Sequence, residues 1–276
     1  YTSQLYTCLS NASYTNDYKK NIVILSPGVF NSAYFEHAYL AQQMGIDLVE
    51  STDLFLSKDN FVYMKTINGK KKVDVIYRRV NDNYLDPKVW VKDSILGVPG
   101  IVNSWKEKKV AIVNAPGSGV ADDKAVYAFV PKMIEYYLGE KPKLKQVKTY
   151  LCAFEKDMKY VLENIHKLVL KPVNESGGYG ILIGPQATKK ELKEYKSKII
   201  SNPRNFVAQP LIKLSTTPTL INTSIQPRHI DLRPFILSGN KTFITNGGLT
   251  RVALKKGSTI VNSSQGGGSK DTWVVS

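Results

Sequence analysis

The residues in this chain best suited to chemistry are cations set beside glycine-rich turns. In residues 168–180 (LVLKPVNESGGYG) an apolar run carries Lys171 and then breaks into a turn with Ser176, Gly177, Gly178 and Gly180. A lysine inside an apolar run is costly to bury unless it meets an anion. The turn offers backbone N–H groups that no bulky side chain blocks, the condition for cradling a phosphate. Strand, lysine and glycine turn together read as a grip on a polyphosphate. The pattern is not GxxxxGK[ST], because the lysine precedes the glycines and no helix obviously follows. The plain alternative is a lysine at a strand edge beside a glycine hairpin. Lys124 is a second candidate. It stands near the start of a helical pattern, where the helix dipole disfavours a cation unless an anion is held nearby; a solvated surface lysine is the alternative.

Three further groupings could complete a phosphate site. Residues 228–235 (RHIDLRPF) alternate polar and apolar, so His229, Asp231 and Arg233 share one strand face. Arg251 lies inside the strand pattern 248–254, and Asn262 opens a polar, glycine-rich stretch whose first oxygen could join Asp231 at a magnesium–phosphate site. Gln209, Pro210 and Leu211 interrupt an apolar strand pattern, and a proline there leaves backbone groups unpaired that an adenine edge could meet. Farther upstream, Arg78 and Arg79 are adjacent at a strand end and point to opposite faces. One can pair internally, with Asp82 or Asp86, while the other recognises a carboxylate or phosphate through its fork.

These residues need elements to hold them. Residues 1–20 read as a poorly defined polar lead-in. A buried-type strand at 21–26, a helix at 32–43 ended by Gly45 and a strand at 46–49 form the unit of an open α/β layer. Residues 61–66 and 72–77 are expected to pair as a hairpin about Asn68-Gly69. A strand at 110–114 leads to a helix with Asp122 as its expected N-cap, and Pro131 should break or restart that helix. Next come a strand at 147–152, a helix at 156–164, the lysine strand with its return at 180–184, and a charged helix at 188–200. The last third reads as strands, at 228–235, 241–244 and 248–254.

Composition narrows the classes. The chain has 276 residues, 42% of them hydrophobic, enough for two lobes. Its 38 Lys and Arg against 23 Asp and Glu give a formal charge of +15, which suggests an anionic partner. Much of that excess lies in lysine runs that read as solvated faces. No zinc finger, basic heptad array or aromatic RNA-binding signature is present, so nucleic acid is not the expected partner. No run of about 18 apolar residues predicts a membrane span. Cys8 and Cys152 make neither a metal spacing nor a disulfide framework, and a cytoplasmic location fits them. Histidine is sparse, which argues against a histidine-built metal site. His229 could be a structural hydrogen-bonder or a substrate contact. The first residue is Tyr1 and not methionine, so a missing N-terminal segment is expected.

Seven stretches in order resemble the circularly permuted ATP-grasp type 2 family, related to glutathionylspermidine-synthase-like ligases: YRRVNDNYLDP at 77–87, NAPGSGVADDKAVYAFVP at 114–131, KPVNESGGYG at 171–180, AQP at 208–210, PRHIDLRPF at 227–235, GGLTRVAL at 247–254 and VNSSQGGGSKDTWV at 261–274. The resemblance implies an ATP-grasp fold of mixed α+β and α/β class. Two α+β lobes clasp ATP, with residues 116–212 as the lysine and glycine-loop lobe and 213–276 as the metal-site lobe. Residues 1–115 would form an open α/β substrate-side domain. It also implies ligation of a carboxylate to an amine through an acyl phosphate, with ATP and Mg²⁺ and with small-molecule or peptide substrates. On that resemblance Lys124 and Lys171 hold phosphates, and Ser176, Gly177, Gly178 and Gly180 cover them. Gln209, Pro210 and Leu211 meet adenine. Asp231 and Asn262 bind metal, and Arg233 and Arg251 face the transferring phosphoryl group. Arg78, Arg79 and Asp82 lie toward the acceptor substrate. Ile260 departs from the pattern, standing where many members carry a metal-binding Glu. It opens the alternative of an ATP- and Mg-binding module without catalysis.

Overall fold

The structure, a computed structural model, describes residues 1–175, 180–262 and 266–275. The chain divides into two compact units. One comprises Tyr1–Gly119 with Phe235–Thr245, the other Val120–Pro234 with Asn246–Ser276.

The first unit runs α1 (Thr2–Asn11), β1 (Ile22–Leu25), α2 (Tyr34–Met44), β2 (Asp47–Val49), β3 (Leu54–Leu56), β4 (Val62–Thr66), β5 (Gly69–Lys72), β6 (Val75–Arg78), α3 (Asp82–Leu85), α4 (Ile101–Lys106) and β7 (Ala111–Val113). Its main sheet is parallel throughout, in the order β2-β1-β6-β7. All four residues of β1 are buried, because a parallel strand is covered on both faces and reads as a continuous apolar run. Ile22, Ile24 and Val75 pack on one face against Leu5 and Leu9 of α1 and Leu40 of α2. Val23, Leu25 and Ile76 pack on the other against Leu54, Val62 and Ile101. The stretch read as a polar lead-in is therefore mostly helix: Leu5 and Leu9 stand four apart on one face of α1 and are buried. Gly45 closes α2 in the left-handed region, at φ +63°, as the sequence suggests.

The expected hairpin changes partner. β4 turns at Asn68-Gly69 as expected but pairs antiparallel with the exposed β5, Gly69–Lys72, and not with residues 75–77. β6 instead pairs in parallel with β1, since Val75 and Ile76 are wholly buried and belong in the sheet interior.

The second unit runs α5 (Lys124–Tyr127), α6 (Val130–Leu138), β8 (Tyr150–Leu151), α7 (Glu155–Asn164), β9 (Leu168–Pro172), β10 (Leu182–Ile183), α8 (Lys189–Ser201), β11 (Phe206–Pro210), β12 (Thr216–Ile221), β13 (Ser224–Ser238), β14 (Thr242–Ala253) and β15 (Gly267–Asp271). The tip of the β13–β14 hairpin is counted with the first unit. One antiparallel sheet has the order β10-β9-β11-β8. Leu168, Leu170 and Ala208 face Val161, Tyr195 and Ile199 of α7 and α8. On the opposite face Leu151, Val173 and Val207 meet Ala125 and Ala128. Pro131 restarts the helix at the head of α6, where a missing N–H costs nothing. The other sheet has the order β12-β13-β14-β15.

Two expectations are corrected here. The two strands expected at 241–244 and 248–254 are one, β14, Thr242–Ala253, and β15 forms within the glycine-rich stretch after Asn262. Glycine is what allows β15 to approach: a Cβ on Gly267 would lie 2.2 Å from the Val261 carbonyl oxygen. Among the described residues no helix is long and apolar enough to cross a membrane.

Candidate functional site

Lys171 is the penultimate residue of β9, on the sheet face that carries Val207 and Gln209. Its Nζ donates to Gln209 Oε1 at 2.7 Å, and Gln209 Nε2 donates onward to Thr149 Oγ1 at 2.8 Å. Burial, and secondarily the nearby charge of Lys124, push the Lys171 ammonium below the ordinary lysine range. The side chain of Gln209, placed by sequence reasoning in an adenine-contacting segment, thus orients the lysine. β11 ends at Pro210, and Leu211 follows it part-exposed.

Lys124 opens α5 on the same sheet face. Its backbone N–H donates to Val173 O at 3.1 Å, and its Nζ reaches Val173 O at 3.4 Å and also the Glu175 carbonyl. The N-cap is Asp123 and not Asp122, which ends a short 3-10 turn. Asp123 accepts from Ala125 N at 2.7 Å and from Arg204 Nη2 at 2.8 Å. Burial would raise its pKa, but the Arg204 and Ala125 hydrogen bonds hold it below the usual carboxylate range. The cap fixes the helix that carries Lys124.

Two lysines therefore converge on one face, with only neutral oxygen atoms as hydrogen-bond acceptors among the contacts above. Such an arrangement is electrostatically unfavourable until an anion joins it. Ser176, Gly177 and Gly178 lie outside the described residues. Gly180, beyond them, has φ +69°; its carbonyl accepts from Tyr195 Oη at 2.7 Å, and a Cβ there would lie 2.8 Å from Pro172 Cγ.

A second cluster stands on β13 and β14. Arg251 Nε donates to Asp231 Oδ1 at 2.9 Å. Its two Nη atoms donate to Asp231 Oδ2 and Asn262 Oδ1. Asp231 is held below the usual carboxylate range chiefly by the Arg251 hydrogen bonds, with smaller help from the charges of Arg251 and Arg233. Arg251 is raised in turn by Asp231. The geometry thus places a cation between the two residues expected to hold metal. Their oxygens are hard donors of the kind Mg²⁺ takes, and one or two protein oxygens shared with phosphates is its usual mode. Among the described residues no group of three His, Cys, Asp or Glu could hold a metal ion. Ile260 is 42% exposed and contributes no oxygen ligand from its side chain. His229 Nδ1 lies 2.9 Å from Leu214 O, a contact that ties β13 to the loop before β12.

In the first unit the paired arginines diverge. Arg78 donates to the carbonyls of Asn114 at 2.6 Å, Val80 at 2.8 Å and Ala115 at 3.1 Å, and meets Asp82 at 2.7 Å. Asp82 also accepts from Gly117 N and Gly119 N, each at 3.1 Å. Both side chains organise the loop after β7. Arg79 turns away to Tyr77 Oη at 3.0 Å and to Glu36.

Three residues escaped sequence reasoning: Thr149, Arg204 and Ser26. The first two act only as partners of Gln209 and Asp123, contacts of 60 and 81 residues' separation with no local signal. Ser26 Oγ lies 2.9 Å from Nδ1 of His37, which is buried on α2.

Comparison with known proteins identifies the family of the chain. Residues 1–253 match the model of a family described as circularly permuted ATP-grasp type 2. An uncharacterized protein of Synechocystis sp. is 52% identical over the whole chain, which covers 57% of it. One of Mycobacterium tuberculosis is 53% identical, again over the whole chain and 50% of its own length. The chain thus spans about half the length of these relatives. A glutathione synthetase-like effector from Globodera pallida, solved in its apo form, superposes with a TM-score of 0.54 at 14% identity, over 99% of this chain and 60% of that one, a likeness of fold alone. The fold is ATP-grasp, and the chain belongs to the circularly permuted ATP-grasp type 2 family.

Proposed function

We propose that the second unit binds ATP and that the protein is an ADP-forming ligase joining a carboxylate to an amine through an acyl phosphate. The observation that carries this is the pair Lys124 and Lys171, two cations on one sheet face whose nearest acceptors are neutral. In this reading an incoming polyphosphate relieves the mutual repulsion of the two lysines. Ser176, Gly177, Gly178 and Gly180, the first three outside the described residues, are assigned to the phosphates by the family pattern, and residues Gln209–Leu211 to the adenine edge.

Asp231 and Asn262 would hold Mg²⁺, which neutralises charge on the phosphate oxygens. Their release from Arg251 frees its guanidinium to meet, with Arg233, the phosphoryl group in transfer. Such clamps act by positioning and by stabilising developing charge. The carboxylate substrate takes the phosphoryl group, the amine displaces phosphate from the acyl carbon, and an amide, ADP and phosphate result. Arg79 is the first-unit arginine suited to receive a substrate carboxylate. Arg78 and Asp82 position the loop beside it.

The test is ADP release by the purified full-length protein with ATP, Mg²⁺ and a panel of carboxylates and amines. Amide-coupled ADP release supports the reading. ATP binding that is indifferent to Asp231→Asn, without turnover on any pair, supports a nucleotide-binding module lacking catalysis, the alternative that Ile260 raises. Absence of ATP binding removes both.

A further inference from the structure

We propose that the carboxyl edge of the parallel sheet in the first unit is a binding site for a free α-amino acid, held at both its charged ends. The strand order β2-β1-β6-β7 makes the junction of β1 and β6 a topological switch point, where the chain leaves β1 for one side and returns at β6 on the other. Open α/β sheets bind ligands in the crevice at such a point, outside the carboxyl ends of the strands.

The ladders continue one residue beyond the strands. Ser26 N donates to Val49 O at 2.8 Å, and Arg79 N donates to Leu25 O at 2.8 Å. Glu50, Ser26 and Arg79 therefore occupy one row across three neighbouring strand ends. Adjacent strands lie about 4.8 Å apart, so Glu50 and Arg79 flank Ser26 across roughly 10 Å of backbone. Ile24, two residues before Ser26, packs toward α1 and α2, so this row shares the α2 face.

Each group there has a definable capacity. Arg79 pairs with Glu36 from the first turn of α2, and the Glu36 side chain is 55% exposed. An exposed carboxylate thus occupies the fork that a ligand carboxylate would take. Glu50 has no cationic partner among the described residues. Its carboxylate lies against the β1–α2 loop, where a Cβ on Gly28 would stand 3.1 Å from Glu50 Oε1. The Glu50 side chain takes the Asp53 backbone N–H in a capping box, and the Asp53 carboxylate accepts from Glu50 N at 2.9 Å; neither contact brings a cation, and an ammonium group would supply one. The floor carries Ser26 Oγ, which accepts from Gly28 N at 3.1 Å and lies 2.9 Å from Nδ1 of the buried His37. Burial and the charge of Arg79 favour the neutral imidazole.

Naming this ligand the amine-bearing substrate rests on the ligase reading; its binding does not. The experiment titrates the 276-residue chain with the common L-α-amino acids singly, followed by saturation-transfer NMR. The N-acetyl and C-amide forms of each binder are then titrated in the same way. At least one amino acid is expected to bind saturably. Blocking either end, or introducing Arg79→Met or Glu50→Gln, is expected to weaken it roughly 10- to 100-fold, the range for losing a charge-assisted contact. Circular dichroism confirms the fold of each variant, and the exposed Glu50→Gln decides if Arg79→Met does not fold. No amino acid bound, blocked forms bound equally, or Glu50→Gln without effect would each overturn the proposal. Amino-acid binding by a chain that does not bind ATP would sink the ligase reading and spare this one. ATP binding without amino-acid binding would do the reverse.

Discussion

Lys171→Met separates a phosphate-gripping lysine from a structural one. Methionine keeps most of the length of the side chain and removes its charge. In the free protein Lys171 is a net liability: it is desolvated, repelled by Lys124 and satisfied only by a neutral amide oxygen 2.7 Å away. The substitution should therefore not lower the stability of the free protein, because Gln209 is only half-buried and water can replace the lost donor. Nucleotide binding reverses that balance. A phosphate at Nζ forms a charge-assisted contact away from bulk water and also screens the two lysines from each other. Its loss should exceed the ~0.2–1 kcal/mol of an exposed ion pair. It should fall at about 1.5–3 kcal/mol, a roughly 10- to 150-fold weaker Kd. The assay is calorimetric titration with ATP and Mg²⁺, paired with thermal unfolding of the nucleotide-free protein. An unchanged Kd would refute the reasoning, and so would a weaker Kd matched by an equal loss of stability.

The pH dependence of that lysine has a definite sign. Its folded-state pKa is depressed, so the unfolded state binds more protons between that value and the ordinary lysine value near 10.4; stability should rise with pH there, and Lys171→Met should flatten the rise in a denaturant series. Asp231 is depressed too. Its contribution is full above the ordinary value of about 3.9 and lost as pH falls through the folded value, so Asp231→Asn should reduce acid sensitivity while costing about 1–2 kcal/mol near neutrality, measured by chemical denaturation. Gly180→Ala should destabilise by more than about 1 kcal/mol, since φ is +69° and Pro172 stands in the way; an unchanged Tm would count against the described turn. Thr188→Ala should cost about 1 kcal/mol of denaturant stability by removing the capping box with Glu191 at the head of α8.

What could be read from the sequence follows physical range. The run of residues 21–26 announces a parallel strand because both its faces must be apolar, and Gly45 announces a helix end because it alone enters the left-handed region without strain. The antiparallel return of β10 on β9 was legible from the glycines between them. Leu5 and Leu9 were passed over because two apolar residues in a polar helix carry little periodic signal, although the sheet they cover needs both. The hairpin of β4 chose β5 because burial on both faces drew β6 into the parallel sheet, and strand pairing is a property of the whole layer. Site residues followed the same rule. Lys124, Lys171, Asp231 and Arg251 stood out by type and setting. The partners that orient them did not, and neither did the Arg251 guanidinium set between Asp231 and Asn262, because each depends on contacts between distant segments.

The measurement that tests the central claim most directly is a crystal structure of the chain with ATP and Mg²⁺ bound. The account predicts the polyphosphate on Lys124 Nζ and Lys171 Nζ, a metal ion on Asp231 and Asn262, and Arg251 released from both toward the terminal phosphate. Nucleotide bound away from the two lysines, or a metal ion held elsewhere while Arg251 stays paired with Asp231 and Asn262, would contradict it.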